Sequence, residues 1–162
     1  MPCLSALDRV LNISDLQALA HRRVPAFALA YLEGGADDQH SLAWNRNVFD
    51  NWRFLPDTLV GAAQPELTTL LLGSPSALPL IVAPTGFNGM LRHQADILIA
   101  RAAQAADIPF TLSTVSSASL EDIAQQAPGG RFWFQLYVLR DRGITRDLLA
   151  RETLDEADLK AI

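Results

Sequence analysis

The sequence predicts an α/β fold: a helical lead-in over residues 1–55, then, over residues 56–162, the first part of a parallel (β/α)8 barrel. Three observations carry that prediction. The first 55 residues read as capped amphipathic helical segments. From residue 78 onward short apolar runs alternate with helical segments, which is the pattern of βαβ units and a parallel sheet. Those runs begin roughly 25 to 30 residues apart, the length of a compact βαβ repeat.

Taken in order, Ile13-Ser14-Asp15-Leu16-Gln17 reads as a helix start. Ser14 would accept from the backbone three residues on while Gln17 reaches back, a capping box, and the helix runs to about Arg23. Pro25 fits the first turn of a second helix, and Gly34-Gly35 supplies a left-handed stop after Tyr31-Leu32-Glu33. Leu42, Asn45, Phe49 and Trp52 recur at helical spacing, which predicts a third helix before Arg53-Phe54-Leu55-Pro56. The first strand is Leu80-Ile81-Val82-Ala83, followed by a helix over residues 96–106. Phe110-Thr111-Leu112 is the second, followed by a helix opened by Ser119, Glu121 and Asp122. The third spans residues 132–138 with a helix around residues 144–151, and Lys160-Ala161-Ile162 starts a fourth. A closed eight-stranded barrel needs roughly 250 residues after the lead-in, of which this chain supplies about a third, so the expectation is an incomplete barrel; a smaller doubly wound sheet is the alternative, although no Gly-rich phosphate turn follows the first strand.

Composition narrows the function. A net charge of −5 and a pI near 5.0 argue against a chain that neutralises phosphates, so nucleic acid is not an expected partner. The single cysteine, Cys3, permits no internal disulfide and fits a reducing compartment. The uncharged run over residues 67–91 is broken by Gly73, Pro75, Pro79, Pro84, Gly86 and Gly89, so it cannot form one of the ~20-residue apolar helices that span a bilayer. The N-terminus lacks the apolar core of a secretory signal, and the cytoplasm is the expected location.

In a parallel barrel, ligands meet the carboxyl ends of the strands, so the residues closing each apolar run are the candidates for chemistry. After the first run comes Pro84-Thr85-Gly86-Phe87-Asn88-Gly89, where Gly86 would let a flat ring approach the backbone; a plain βα turn explains the same residues. After the second comes Ser113-Thr114-Val115-Ser116-Ser117, whose hydroxyls suit either a heterocycle edge or turn and capping bonds. The third run carries Gln135 and Tyr137, which period-two alternation puts on one face. A carboxamide inside a barrel needs a partner, and it offers both the donor and the acceptor that a flavin's pyrimidine edge would use; neighbouring backbone would serve equally.

Together these motifs resemble the FMN-dependent 2-hydroxy-acid dehydrogenases and oxidases, a family of TIM (β/α)8 barrels, from about Ile13 onward. The resemblance rests on Tyr31-Leu32-Glu33-Gly34-Gly35-Ala36-Asp37-Asp38, Asn45-Arg46-Asn47-Val48-Phe49, Pro84-Thr85-Gly86, Thr111-Leu112-Ser113-Thr114 and Phe134-Gln135-Leu136-Tyr137, in that order. The Leu32-Glu33-Gly34-Gly35-Ala36 and Pro84-Thr85-Gly86-Phe87-Asn88-Gly89 runs look most like the mandelate dehydrogenase branch. The resemblance implies FMN as cofactor, a small 2-hydroxy acid as substrate and no metal. It implies that Pro84, Thr85 and Gly86 lie against the isoalloxazine, that Ser113 and Gln135 hydrogen-bond the ring, and that Tyr31 and Tyr137 meet the substrate's carboxylate and hydroxyl ends.

The family's catalytic histidine, carboxylate-binding arginine and flavin-stabilising lysine come from later strands, past Ile162, so no residue here is expected to be the catalytic base. His21, His40 and His93 fall on or near helices. The chain departs from the family at His93-Gln94-Ala95, and at Asp107 and Asp158, where a helix-ending glycine is usual. The expectation is thus a truncated, inactive dehydrogenase chain that works with a missing C-terminal half or associates with itself. The alternatives are a non-catalytic partial-barrel remnant or interaction module, pairing its open strand edges with a second chain, and a different flavin- or phosphate-binding barrel. Some full-length relatives are attached to membranes through a segment inserted in their later half.

Overall fold

The computed structural model describes residues 7–59, 61, 64–152 and 159–161. Two compact units divide the chain, residues 1–63 and 64–162.

The first unit is helical. It contains α1 (Ile13–Ala20), α2 (Ala26–Glu33), α3 (His40–Asn47) and a 3-10 turn over Val48–Asn51. The cap of α1 is Asn12 rather than Ser14. Its side chain accepts from Asp15 N at 2.9 Å, and Asp15 Oδ2 accepts from Leu11 N at 2.9 Å. An Asn/Asp pair thus does the reciprocal work expected of Ser14 and Gln17, with the advantage of an anion at the positive end of the helix. Gln17 instead donates to Glu33 Oε1 at 2.8 Å, beside His21 Nε2 at 2.6 Å from the same oxygen, and so joins α1 to α2. These contacts, the Gln17 bond foremost, hold the Glu33 carboxyl below its ordinary value.

Helix α2 begins after Pro25, whose missing N–H costs nothing at a helix start. It stops at Gly34, but not by a left-handed turn: Gly34 has φ −70°, and a Cβ there would lie 2.8 Å from Ala30 O. Close approach, not handedness, requires that glycine. The third helix is shorter than the Leu42 to Trp52 periodicity implies, because it tightens into the 3-10 turn at Val48 and Trp52 is already extended.

The second unit opens with a hairpin absent from the sequence-based expectation, β1 (Thr69–Leu71) paired antiparallel with β2 (Ser74–Ser76). Its two-residue turn holds Leu72 at φ 48° and Gly73 at φ 79°, the doubly left-handed form that matches strand twist. Leucine at the first of these positions carries no turn signal, which is why the hairpin is hidden in the sequence. The parallel sheet comes next, in the order β3 (Phe110–Ser113), β4 (Phe132–Gln135), β5 (Leu159–Ala161). Helices α4 (Ala95–Ala105), α5 (Leu120–Gln126) and α6 (Arg142–Glu152) make the connections.

Two strands differ from expectation. The Leu80-Ile81-Val82-Ala83 run forms a single parallel bridge, Val82 with Phe110, in which Val82 N donates to Pro109 O at 2.9 Å and Thr111 N donates to Val82 O at 3.0 Å. Pro79 and Pro84 bracket the run and lack the N–H that a longer ladder needs. The third run ends at Gln135, not at residue 138, so strand alternation does not extend from Gln135 to Tyr137.

Ala100 and Ala103 of α4, Phe110 and Leu112 of β3, Leu120 and Ile123 of α5, Ala127, and Phe132 and Phe134 of β4 make the core. Phe110 and Phe132 meet edge to face at 6.3 Å. Every residue of β3 is buried, as a strand covered on both faces requires. Ser119 and Asp122 form the capping box of α5. Asp107 does take the left-handed conformation, φ 54°, and its carboxylate is 2.7 Å from Arg131; Asp158 lies outside the described residues, as does Cys3. The result is the partial, unclosed parallel barrel that the repeat spacing predicts.

Candidate functional site

The carboxyl ends of β3 and β4 meet because the strands are in register, with Ser113 beside Gln135. Ser113, only 5% exposed, donates its hydroxyl to Gln135 Oε1 at 3.2 Å and accepts from Val115 N at 3.2 Å. With its oxygen occupied in this way, the Gln135 carboxamide has no partner for its N–H donors among the described residues and can offer them to a group beyond the strand end. Half-buried donors held in one orientation suit a carbonyl-bearing flat heterocycle.

Thr114, read from the sequence only as one hydroxyl of the loop after β3, fixes the backbone beyond β4. Its hydroxyl donates to the carbonyl oxygen of Gln135 and accepts from Tyr137 N at 2.9 Å, so one side chain holds the backbone on both sides of Leu136 where the ladder has ended. Tyr137 itself is 55% exposed. Its phenol springs directly from a pinned backbone.

The third part is the turn after Val82. Phe87 N donates to Val115 O at 3.1 Å, which ties this turn to the one after β3. Gly86 is required by that contact: a Cβ would fall 2.5 Å from Val115 Cγ2. The openness expected at Gly86 is therefore also a packing necessity. Behind the turn Asn88, buried, donates to Thr85 Oγ1 at 2.8 Å and to Asp96 Oδ1 at 2.7 Å, while Ser117 N donates to Asp96 Oδ2 at 3.0 Å. Gly89 N donates to Ser117 Oγ at 3.0 Å. No sequence pattern groups Asn88, Asp96 and Ser117, since 8 and 21 residues separate Asp96 from its two partners.

Among the predicted site residues, the structure thus joins Ser113 to Gln135, anchors Tyr137 through Thr114 and Thr85 through Asn88, and places Gly86 against Val115; Pro84 and Thr85 are exposed. Tyr31 belongs to the other unit, on α2, and is 60% exposed. None of the three histidines ends a strand: His21 caps α1, His40 opens α3, and His93 sits in the turn before α4. Among the described residues no group of three His, Cys, Asp or Glu side chains could hold a metal ion, and no helix is long and apolar enough to cross a membrane.

Known proteins share this arrangement of sequence and fold. The family model described as FMN-dependent dehydrogenase matches residues 20–162. The chain is 45% identical over 132 residues to (S)-mandelate dehydrogenase of Pseudomonas putida, covering 82% of this chain and 33% of that protein. It is 37% identical over 153 residues to glycolate oxidase of Spinacia oleracea, covering 94% and 41%. Among solved structures, a soluble mutant of the membrane-associated (S)-mandelate dehydrogenase from Pseudomonas putida superposes with a TM-score of 0.83 at 43% identity, over 88% of this chain and 40% of that one. The chain spans between a third and about two fifths of the length of these curated relatives.

Proposed function

The chain belongs to the FMN-dependent dehydrogenase family, and from that premise we propose that it supplies the N-terminal part of the flavin and substrate site of an enzyme that oxidises a 2-hydroxy acid to the 2-oxo acid. The observation that carries this reading is the Ser113–Gln135 hydrogen bond, which occupies the carboxamide oxygen at the end of the sheet and leaves its N–H donors without a partner among the described residues. FMN fits such a donor set through the acceptors on its pyrimidine edge. Pro84, Thr85 and Gly86 would offer backbone to the ring's face, and Tyr137 would meet the hydroxyl end of an aromatic or small aliphatic 2-hydroxy acid.

FMN, when bound, takes up the electron pair released from the substrate's Cα–H bond. The residues of this chain would orient the ring and the substrate; no strand end among the described residues carries a base, and the base for the hydroxyl proton and the cation for the carboxylate would come from the part of the relatives' length that this chain does not span. That division of labour makes a second polypeptide, or a longer product carrying the remaining strands, the natural partner. We place the assembly in the cytoplasm. Attachment to a membrane, as in the Pseudomonas putida relative, would come with the remaining part.

The test is retention of flavin. The chain is co-produced with the remaining C-terminal part of a mandelate dehydrogenase as a separate polypeptide, and FMN is measured after gel filtration. A yellow assembly whose FMN content falls with Gln135→Ala and with Ser113→Ala is the expected result. A colourless assembly, or one indifferent to both substitutions, contradicts the reading.

A further inference from the structure

Asp96 is the most deeply buried acidic side chain among the described residues, 1% exposed, and no Lys, Arg or His among them forms an ion pair with it. A carboxylate without a counter-charge is costly to bury, so its hydrogen bonds must offset that cost. They are divided between two turns. Oδ1 accepts from Asn88, in the turn after Val82, and Oδ2 accepts from the backbone of Ser117, in the turn after β3. The carboxylate sits at the second residue of α4, an 11-residue helix whose N-terminal dipole favours the negative charge. Ser117 then returns a bond to the first turn by accepting from Gly89 N. The cycle Asn88, Asp96, Ser117, Gly89 closes on itself.

We infer that Asp96 is a positioning residue, a buried latch that fixes the turn over residues 84–90 to the turn over residues 113–117. The flavin-facing backbone of Pro84, Thr85 and Gly86 is thereby held at a set distance from Ser113. The inference rests on the flavin reading for its purpose, but the latch itself does not need flavin to be seen. Only a group that accepts at both ends serves here. An asparagine of the same shape presents its NH2 to Asn88 Nδ2 or to Ser117 N, and keeps both joins only if the Asn88 amide turns over and gives up its bond to Thr85 O. The chemistry at issue is therefore the second acceptor, not the volume.

The experiment uses the whole chain without flavin, in dilute solution, with hydrogen exchange read residue by residue. Asp96→Asn is expected to speed exchange at Ser117 N and Gly89 N by about tenfold or more, the effect of losing one buried hydrogen bond to a charged group. The amides of Phe110 and Thr111, which bond to Arg131 O and Val82 O in the sheet, should stay within about twofold, as a local opening requires. Equal acceleration at all four would make Asp96 merely structural, and no change at Ser117 and Gly89 would remove the latch; either overturns the proposal. Should Asp96→Asn fail to fold, Ser117→Ala decides, because it removes only the hydroxyl that accepts from Gly89 N and leaves Asp96 in place. Faster exchange at Gly89 N with Phe110 and Thr111 unchanged supports the latch, and an unchanged Gly89 overturns it. In the FMN-retaining assembly, Asp96→Asn should weaken FMN binding about tenfold. Unchanged affinity beside fast-exchanging turns overturns the positioning role. An unsubstituted assembly that holds no FMN defeats the flavin reading instead, and the exchange result still decides the latch.

Discussion

Replacing Gly86 by alanine should destabilise the second unit through one contact, and the structure sets its size. The new Cβ would stand 2.5 Å from Val115 Cγ2, 3.4 Å from Val115 O and 3.6 Å from Val115 Cβ. Ordinary carbon–carbon contact is about 3.5–4.0 Å, so only the Cγ2 contact is repulsive, by roughly 1 Å. Relief is not easily found. Valine is stiff about χ1, and the Val115 backbone is held on both sides, by Phe87 N on its carbonyl at 3.1 Å and by Ser113 Oγ on its N–H at 3.2 Å. Overpacking of this kind costs about 1–3 kcal/mol. Val115→Ala removes the offending methyl and costs about 1 kcal/mol or less by itself, since the side chain is only half-buried. In the double variant the remaining contacts are ordinary, so the two substitutions should be strongly non-additive, with a coupling of about 1 kcal/mol or more in favour of the pair. Urea unfolding of the four proteins measures it. A Gly86→Ala protein as stable as the parent, or a cycle additive within ~0.3 kcal/mol, would refute the reasoning.

Two further effects are expected from the same geometry. Gln94 holds φ 56° ahead of α4 and makes no side-chain cap, so Gln94→Gly should raise stability by about 0.5–1 kcal/mol, seen as a higher urea midpoint at unchanged slope. Glu121 receives two 2.8 Å bonds from Arg151, and these, with the backbone N–H of Glu121 next, lower its carboxyl from 4.5 to about 2. A pKa depressed in the folded state gives stability that is complete above about pH 4.5 and lost as pH falls toward 2. The carboxylate is 59% exposed, so solvent screening limits the effect to about 1 kcal/mol or less. The stability difference between the parent and Glu121→Gln should therefore be present at pH 6 and vanish by about pH 2; a pH-independent difference would count against the ion pair as its source.

How far the sequence reveals this arrangement depends on the range of each interaction. Ser119 with Asp122, Pro25 before α2 and the β3 and β4 runs are readable because caps and apolar runs act within a few residues. Ser113 and Gln135 are expected from the sequence only as two residues facing one ring; that they bond each other depends on the β3–β4 register, which no local pattern shows. Hidden altogether are Leu72 in a left-handed turn, Asn12 in place of Ser14, and the Asp96 cycle. Each depends on a backbone conformation or a partner at long range that the residue type does not announce. The short Leu80-Ile81-Val82-Ala83 pairing departs from expectation for a simpler reason, since apolar residues suggest a strand and the flanking prolines limit its ladder.

The most direct test of the central claim is dye reduction with mandelate, lactate and glycolate, measured on the 162-residue chain with excess FMN and again with the C-terminal polypeptide added. With no base at a strand end among the described residues, the chain forfeits a contribution of about 10² to 10⁴ in rate. No measurable turnover by the chain alone, and turnover when the second polypeptide is present, is the predicted result. Robust turnover by the chain alone would contradict it, and would direct attention to Asp37, Asp38 and His93 as bases.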